Sequence, residues 1–290
     1  MSESGIIILD KPSGYTSFDC VARMRGILGI KRIGHGGTLD PMATGVLPVF
    51  CGRAAKAIRF APDTTKEYEA LVSVGIKTDT GDITGTEVGT SEAMPEEDEL
   101  RSAAQSFIGR TSQIPPMYSA VKIGGKHLYD IARTGRTVER EPREIEIFSI
   151  EITSYSSTGK QFGFRTECSS GTYVRTLAED ICEKAGTVGT LSSLRRTRCM
   201  GFGEKSAVSL ERLESSDDPW TFIRPLEDLF TGVPKIVLDD ADSRRFLNGA
   251  KVYSGRPEGE EVLVADRNGL LGIGKTEGGL LVKLVHLAED

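Results

Sequence analysis

The chain has 290 residues, of which 38% are apolar and 27% charged, with a formal net charge of −6. That length suits one large domain, or a large domain with a small one, and the mix is that of an ordinary globular protein. No apolar run approaches the roughly 18 residues of a membrane span. The run Ile6 to Leu9 is too short for a signal-peptide core and no basic residue precedes it, so a cytoplasmic location is expected.

The cysteines Cys20, Cys51, Cys168, Cys182 and Cys199 are scattered and form no CxxC pair. His35, His127 and His286 lie far apart. Disulfides and a zinc site are therefore not expected, and neither is any other metal or cofactor. The acidic total hides a basic side. Residues 20 to 60 hold seven basic side chains and a single acid, Asp40, whereas residues 79 to 100 hold eight acids and no base. Ser119 to Arg143 holds six basic residues against three acids. This distribution fits a protein that presents one positive face to a polyanion.

In chain order, Ile6 to Leu9 reads as a short buried strand ending in the turn cluster Asp10-Lys11-Pro12-Ser13-Gly14. Thr16 or Ser17 caps a helix to about Leu28, with Val21, Met24 and Leu28 on one face, and Gly29 ends it. A glycine-rich loop from Gly34 to Gly45 comes next, then strands at Val46 to Cys51 and Tyr68 to Ile76. Pro95 with Glu96, Glu97, Asp98 and Glu99 marks a helix start, reaching about Phe107. Ile114-Pro115-Pro116-Met117-Tyr118-Ser119-Ala120 is too proline-rich for regular structure. The basic stretch after it reads as a mobile arm with one short helix near Leu128 to Arg133. Strands at Ile145 to Ile152 and Phe162 to Cys168 lead to an amphipathic helix, Val174 to Lys184, stopped by Gly186. Leu191 to Cys199 reads as a strand carrying Arg195, Arg196 and Arg198. From about Lys235 a helix near Asp240 to Leu247 and strands at Val262 to Ala265, Leu270 to Ile273 and Leu280 to Val285 form a small β-rich appendage.

Gly269 to Thr276 matches the phosphate-loop pattern GxxxxGK[ST]. That pattern works only between a strand and a helix, because the helix N-terminus cradles the phosphates. Here Glu277-Gly278-Gly279 and a strand-like run come after it, so the match is read as a β-turn.

Asp40 before Pro41 would ordinarily be a helix cap. Its setting argues for more. Gly34, Gly36 and Gly37 let backbone approach a ligand, and His35 stands five residues upstream. Gly34-His35-Gly36-Gly37-Thr38-Leu39-Asp40-Pro41-Met42-Ala43-Thr44-Gly45-Val46-Leu47-Pro48 closely resembles the signature of the TruB family of tRNA pseudouridine synthases. Other segments resemble further motifs of that family, in family order over roughly residues 5 to 200. They are Asp10 to Ser17, Lys66-Glu67-Tyr68, Gln113 to Lys122, Ser170 to Leu177 and Leu194-Arg195-Arg196.

The resemblance implies an α+β fold: a large mixed, mainly antiparallel sheet flanked by helices, with a small C-terminal β-rich PUA-like domain. It implies a catalytic domain over 1–232, with a basic RNA-binding insertion at about 119–143, and an RNA-binding domain over 235–290. It implies an isomerase that flips uridine-55 out of the tRNA T-loop and converts it to pseudouridine. Asp40 resembles the catalytic carboxylate, Tyr68 the tyrosine that stacks on the target base and is a candidate to take a proton from its C5, and Arg175 the arginine that pairs with the aspartate. Lys11, His35, Tyr173 and Leu194 resemble substrate-binding residues. The implied partner is the T-arm of tRNA, with a monomeric enzyme, no obligate protein partner and no membrane. Taken alone, Lys11 reads as a solvated turn residue, Tyr68 as a half-buried strand residue, and Tyr173 and Leu194 as core. Arg175 at a helix start opposes the helix dipole and calls for a buried carboxylate partner. Two alternatives remain at this point: a non-catalytic tRNA-binding or folding chaperone on the same scaffold, and a synthase with a different RNA target.

Overall fold

The computed structural model describes residues 4–288, which fall into two compact units. One comprises the chain up to Asp40, Val46–Asp63 and everything from Met200 onward; the other comprises Pro41–Gly45 and Thr64–Cys199.

In the first unit the strand Gly5–Lys11 is buried along nearly its whole length. It runs parallel to Val208–Ser209, with Leu9 opposite Val208. After the turn, Thr16 starts the helix Ser17–Leu28 with a reciprocal cap. Its hydroxyl accepts from the Asp19 N–H at 3.0 Å, and the Asp19 carboxylate accepts from the Thr16 N–H at 2.9 Å. Cys20, Val21, Met24 and Leu28 form the buried stripe, and Gly29 ends the helix at φ 69. Ile33–His35 pairs antiparallel with the far end of Thr44–Cys51, placing His35 opposite Val49.

The C-terminal segment of this unit builds its own five-stranded sheet, in the order Lys235–Val237, Glu261–Asp266, Gly269–Glu277, Leu280–His286, Val252–Tyr253. The helix Asp240–Leu247 is capped by Asp239, whose carboxylate accepts from the Ala241 and Asp242 amides. It buries Phe246 completely among Val252, Val264, Leu271 and Leu281. The phosphate-loop match is therefore a strand rather than a turn. The turn is Gly278-Gly279, both at positive φ, and it leads into a strand, not a helix.

The second unit is a five-stranded antiparallel sheet in the order Gly189–Cys199, Lys66–Val74, Gln161–Cys168, Arg143–Ser156, Gly109–Gln113. The strand Lys66–Val74 alternates: Tyr68, Ala70, Val72 and Val74 are buried, while Glu67, Glu69, Leu71 and Ser73 are more open. The open face carries cross-strand polar pairs: Arg165 with Glu69, Arg198 with Glu167, and the Thr197 hydroxyl donating to Glu67 Oε1 at 2.7 Å. Helices Glu97–Gln105 and Val174–Lys184 pack against this sheet and each other. Their buried positions recur every three or four residues: Leu100, Ala103 and Ala104; Leu177, Ala178, Ile181 and Cys182.

Two further details differ from what the residues lead one to expect. Pro95 lies ahead of the helix cap, because Glu96 caps it and pairs reciprocally with Glu99. In the basic insertion a hairpin, Lys122–Ile123 with Lys126–His127, precedes the short helix Leu128–Ala132. Its two-residue turn is Gly124-Gly125, at φ 57 and 82, the left-handed pair that a tight hairpin needs. Among the described residues no helix is long and apolar enough to cross a membrane, and all five cysteines are buried free thiols.

Candidate active site

In the first unit three of the residues singled out in the sequence stand on short, locally braced segments. Lys11 ends the first strand and is fully buried, so the solvated reading is overturned. Its Nζ donates to Pro12 O at 2.9 Å and to Tyr15 O at 2.6 Å, so the ammonium closes the Pro12–Tyr15 turn around itself. A buried ammonium is tolerable only with such partners. Ser17, the first residue of the helix, reaches the Asp40 loop: its hydroxyl accepts from the Leu39 N–H at 2.8 Å and donates to Leu39 O at 3.2 Å. The residue before Asp40 is thereby fixed from both sides.

Asp40 itself is half-buried, and the chain turns after it into the strand Thr44–Cys51. No helix begins there, so the helix-cap reading is excluded. His35 is half-buried, and its Nδ1 accepts from the Gly37 N–H at 3.3 Å, which leaves the ring proton on Nε2 in the neutral form. A Cβ at Gly36 would lie 2.4 Å from Met200 Sδ and 3.1 Å from the Phe50 ring, so a side chain there would force Met200 to shift.

In the second unit Tyr68 sits between two paired strands, with Thr166 and Arg196 as its register neighbours. It is 5% exposed. Burial pushes its phenol up to about 12, although Arg196, fully buried beside it, donates a hydrogen bond to the hydroxyl and works in the opposite sense. Leu194, also buried, lies two residues before Arg196 on the same strand face. Lys66 has Cys168 and Cys199 as register neighbours, and burial, then Arg196, holds its ammonium pKa down.

Tyr173 is half-buried and caps the helix Val174–Lys184. Arg175, in that helix's first turn, is 3% exposed. Its Nη1 donates to Thr80 O at 2.6 Å and its Nη2 to Tyr118 O at 2.8 Å; Asp82 Oδ2 lies 3.9 Å from Nη1. The dipole conflict calls for a buried carboxylate near this cation, and Asp82 is one such group, too distant for a hydrogen bond. Asp82 is pinned in turn by the Thr84 N–H at 2.9 Å and the Thr80 hydroxyl at 3.1 Å. The sequence reading does not single out Asp82 or Arg196. Asp82 is one acid among eight, and its only local signal is the Thr-Gly-Asp turn. Arg196 is visible as part of an arginine-rich strand and of the segment Leu194-Arg195-Arg196, with no role attached to it. Among the described residues no group of three His, Cys, Asp or Glu side chains is placed to hold a metal ion.

Residues 25–174 match the TruB family pseudouridylate synthase N-terminal domain, and residues 175–231 match the tRNA pseudouridylate synthase B C-terminal domain. The chain belongs to the TruB family. It is 44% identical over 253 residues to tRNA pseudouridine synthase B of Oceanobacillus iheyensis, covering 86% of this chain and 84% of that protein. It is 39% identical over 300 residues to tRNA pseudouridine synthase B of Ralstonia pickettii, covering 98% and 94%. Among solved structures it resembles a chain of a Cbf5-Nop10-Gar1 complex with a TM-score of 0.74 and 27% identity, over 99% of this chain and 85% of that one. The fold is thus that of the pseudouridine synthases, and the C-terminal sheet is a curled, PUA-like half-barrel. Like its TruB relatives, the protein is an isomerase.

Proposed function

We propose that the protein converts uridine-55 in the T-loop of tRNA to pseudouridine, with Asp40 as the catalytic carboxylate. The bond between ribose C1′ and uracil N1 breaks, the base turns, C5 bonds to C1′, the C5 proton leaves, and N1 takes up a proton. The reacting atoms lie inside stacked RNA, so the uridine is flipped out at a cost of roughly a few kcal/mol. Phosphate contacts from the basic segments supply that energy. The observation that carries the assignment is the setting of Asp40 in a TruB-family chain. It comes after a residue clasped by Ser17 and precedes a turn, so no helix uses its carboxylate as a cap.

In this reading Arg175 pairs with Asp40 and keeps it ionised for attack on uracil C6 or ribose C1′, or for removal of the C2′ proton. Tyr68 stacks on the target base. A phenol pushed up to about 12 stays protonated at neutral pH, which favours stacking and hydrogen-bond donation over service as a base. Tyr173 and Leu194 line the base pocket, His35 supports the opened RNA loop, and Lys11 holds the turn that shapes the site. The basic insertion at about 119–143 closes on the T-arm, and residues 235–290 widen the RNA footprint beyond a catalytic domain of 1–232. The enzyme works as a cytoplasmic monomer.

The test is incubation with unmodified tRNA transcript, followed by carbodiimide modification and primer extension, with Asp40→Asn as control. A single new stop at uridine-55 in the parent, absent in the variant, is the expected result. A mark at another position refutes the target, and no mark anywhere refutes the reaction in favour of a tRNA-folding chaperone.

A further inference from the structure

Gln113 is a buried amide of the second unit, and both its oxygen and its nitrogen are engaged. It is the last residue of the strand Gly109–Gln113 and is 4% exposed. Its Oε1 accepts from the Tyr173 N–H at 2.7 Å and its Nε2 donates to Tyr173 O at 3.1 Å. A side-chain amide thus takes both polar groups of one residue's main chain, as a neighbouring strand would. Tyr173 is the residue from which the helix bearing Arg175 begins.

Five residues after Gln113 the chain meets that helix start again. The main-chain oxygen of Tyr118 accepts from Arg175 Nη2 at 2.8 Å, and the Tyr118 hydroxyl donates to Asp79 Oδ2 at 3.3 Å. Pro115-Pro116 lies between the two contacts and stiffens the span. The basic insertion hangs from its far end. Ser119 O accepts from the Tyr129 N–H at 3.2 Å, and Val121 O from the Leu128 N–H at 2.8 Å.

We propose that Gln113 is a positioning residue for the reaction, and that the insertion root Gln113–Tyr118 sets the aim of Tyr173 and Arg175. Gln113 is the fixed point and the Tyr118–Asp79 contact is the latch. RNA that draws the insertion toward itself pulls on the Tyr118 carbonyl, and so on the Arg175 guanidinium, while Gln113 keeps the Tyr173 main chain still. Binding of the T-arm and alignment of the arginine are thereby one event. The proposal rests on the functional reading of the chain as a uridine-55 synthase.

The test is single-turnover pseudouridine formation with saturating full-length enzyme and tRNA transcript. Transcript Kd and thermal melts are measured on the same preparations. A misplacement of about 1 Å costs on the order of 100-fold in rate. Gln113→Met is expected to react roughly 30- to 100-fold more slowly at saturation, with Kd within about threefold of the parent. Tyr118→Phe, which deletes a hydroxyl near the surface without disturbing packing, is expected to react roughly three- to tenfold more slowly with unchanged Kd and melting temperature. A well-folded Gln113→Met with parental rate overturns the proposal, as does a Kd that rises as much as the rate falls. If Gln113→Met fails to fold, Tyr118→Phe decides, and a parental rate there overturns it. A parent that forms no pseudouridine removes the functional reading and this proposal with it. An active parent matched by both variants removes the proposal alone.

Discussion

Gly45 is the position where one methyl group should do most damage. It lies five residues beyond Asp40 and is the second residue of the strand Thr44–Cys51, with φ +101. Its register neighbour is Arg196, and a Cβ at Gly45 would lie 2.3 Å from Arg196 O and 2.9 Å from Arg196 N. Those atoms belong to the backbone of a sheet strand and cannot rotate aside. Gly45→Ala therefore carries two costs. The positive φ costs an L-residue roughly 1–2 kcal/mol. Forcing the strands apart adds ~1–3 kcal/mol, as overpacking does. The total is about 2–5 kcal/mol, which at the 2–4 °C per kcal/mol of larger domains lowers the melting temperature by roughly 4–20 °C. Gly14→Ala is the matched control. Gly14 also has positive φ, +85, but nothing lies within 4 Å of a Cβ there, so only the first cost applies. Calorimetry on both variants separates the two. The displaced Arg196 would also lose its hold on the Tyr68 hydroxyl, so the turnover of Gly45→Ala should fall further than its stability predicts. Equal melting temperatures for the two variants would refute the argument, because the clash would then be absent.

Lys11→Met keeps the side-chain volume and removes the ammonium, leaving Pro12 O and Tyr15 O without their charged donor; a loss of roughly 2 kcal/mol is expected, and an unchanged melting temperature would contradict it. Asp180 is raised from 3.8 to about 6, by burial first and Glu183 second. The folded state therefore holds a proton that the unfolded chain releases between about pH 4 and 6, so this group's contribution to stability declines as pH rises through that window. Asp180→Asn should stabilise by about 1 kcal/mol at pH 7.5, after discounting for partial solvent access, and by nothing near pH 4; melts at both pH values that show the reverse order would overturn this. Tyr68→Phe should bind tRNA within a few-fold of the parent and show the same rate–pH slope between about 7 and 9. A rising limb present in the parent and missing in the variant would identify the phenolate as the working form. Trypsin should cut first between Lys122 and Arg136, where Lys122, Lys126, Arg133 and Arg136 are all exposed, and tRNA should suppress these cuts; identical digestion with and without tRNA would count against closure of the insertion.

What can be read from the residues and what cannot divide along a physical line. The Thr16 cap with Asp19, the Gly29 stop and the helix Asp240–Leu247 are legible because their signals lie within four residues of the structure they cause. The Gly124-Gly125 hairpin is equally local, but it is masked by a segment that looks basic and irregular. The candidate site is another matter. Lys11 reads as solvated because nothing in its neighbours reveals that Pro12 O and Tyr15 O fold back on it. Arg175 demands partners, but those that hold it, Thr80 O and Tyr118 O, are 95 and 57 residues away. In both cases the buried cation donates to main-chain carbonyls, which every residue possesses. No pattern of side chains can encode such a partner. The positions most sensitive to substitution here therefore include residues that only shape the backbone, such as Gly45 and Gln113. A survey of charged side chains alone would miss them.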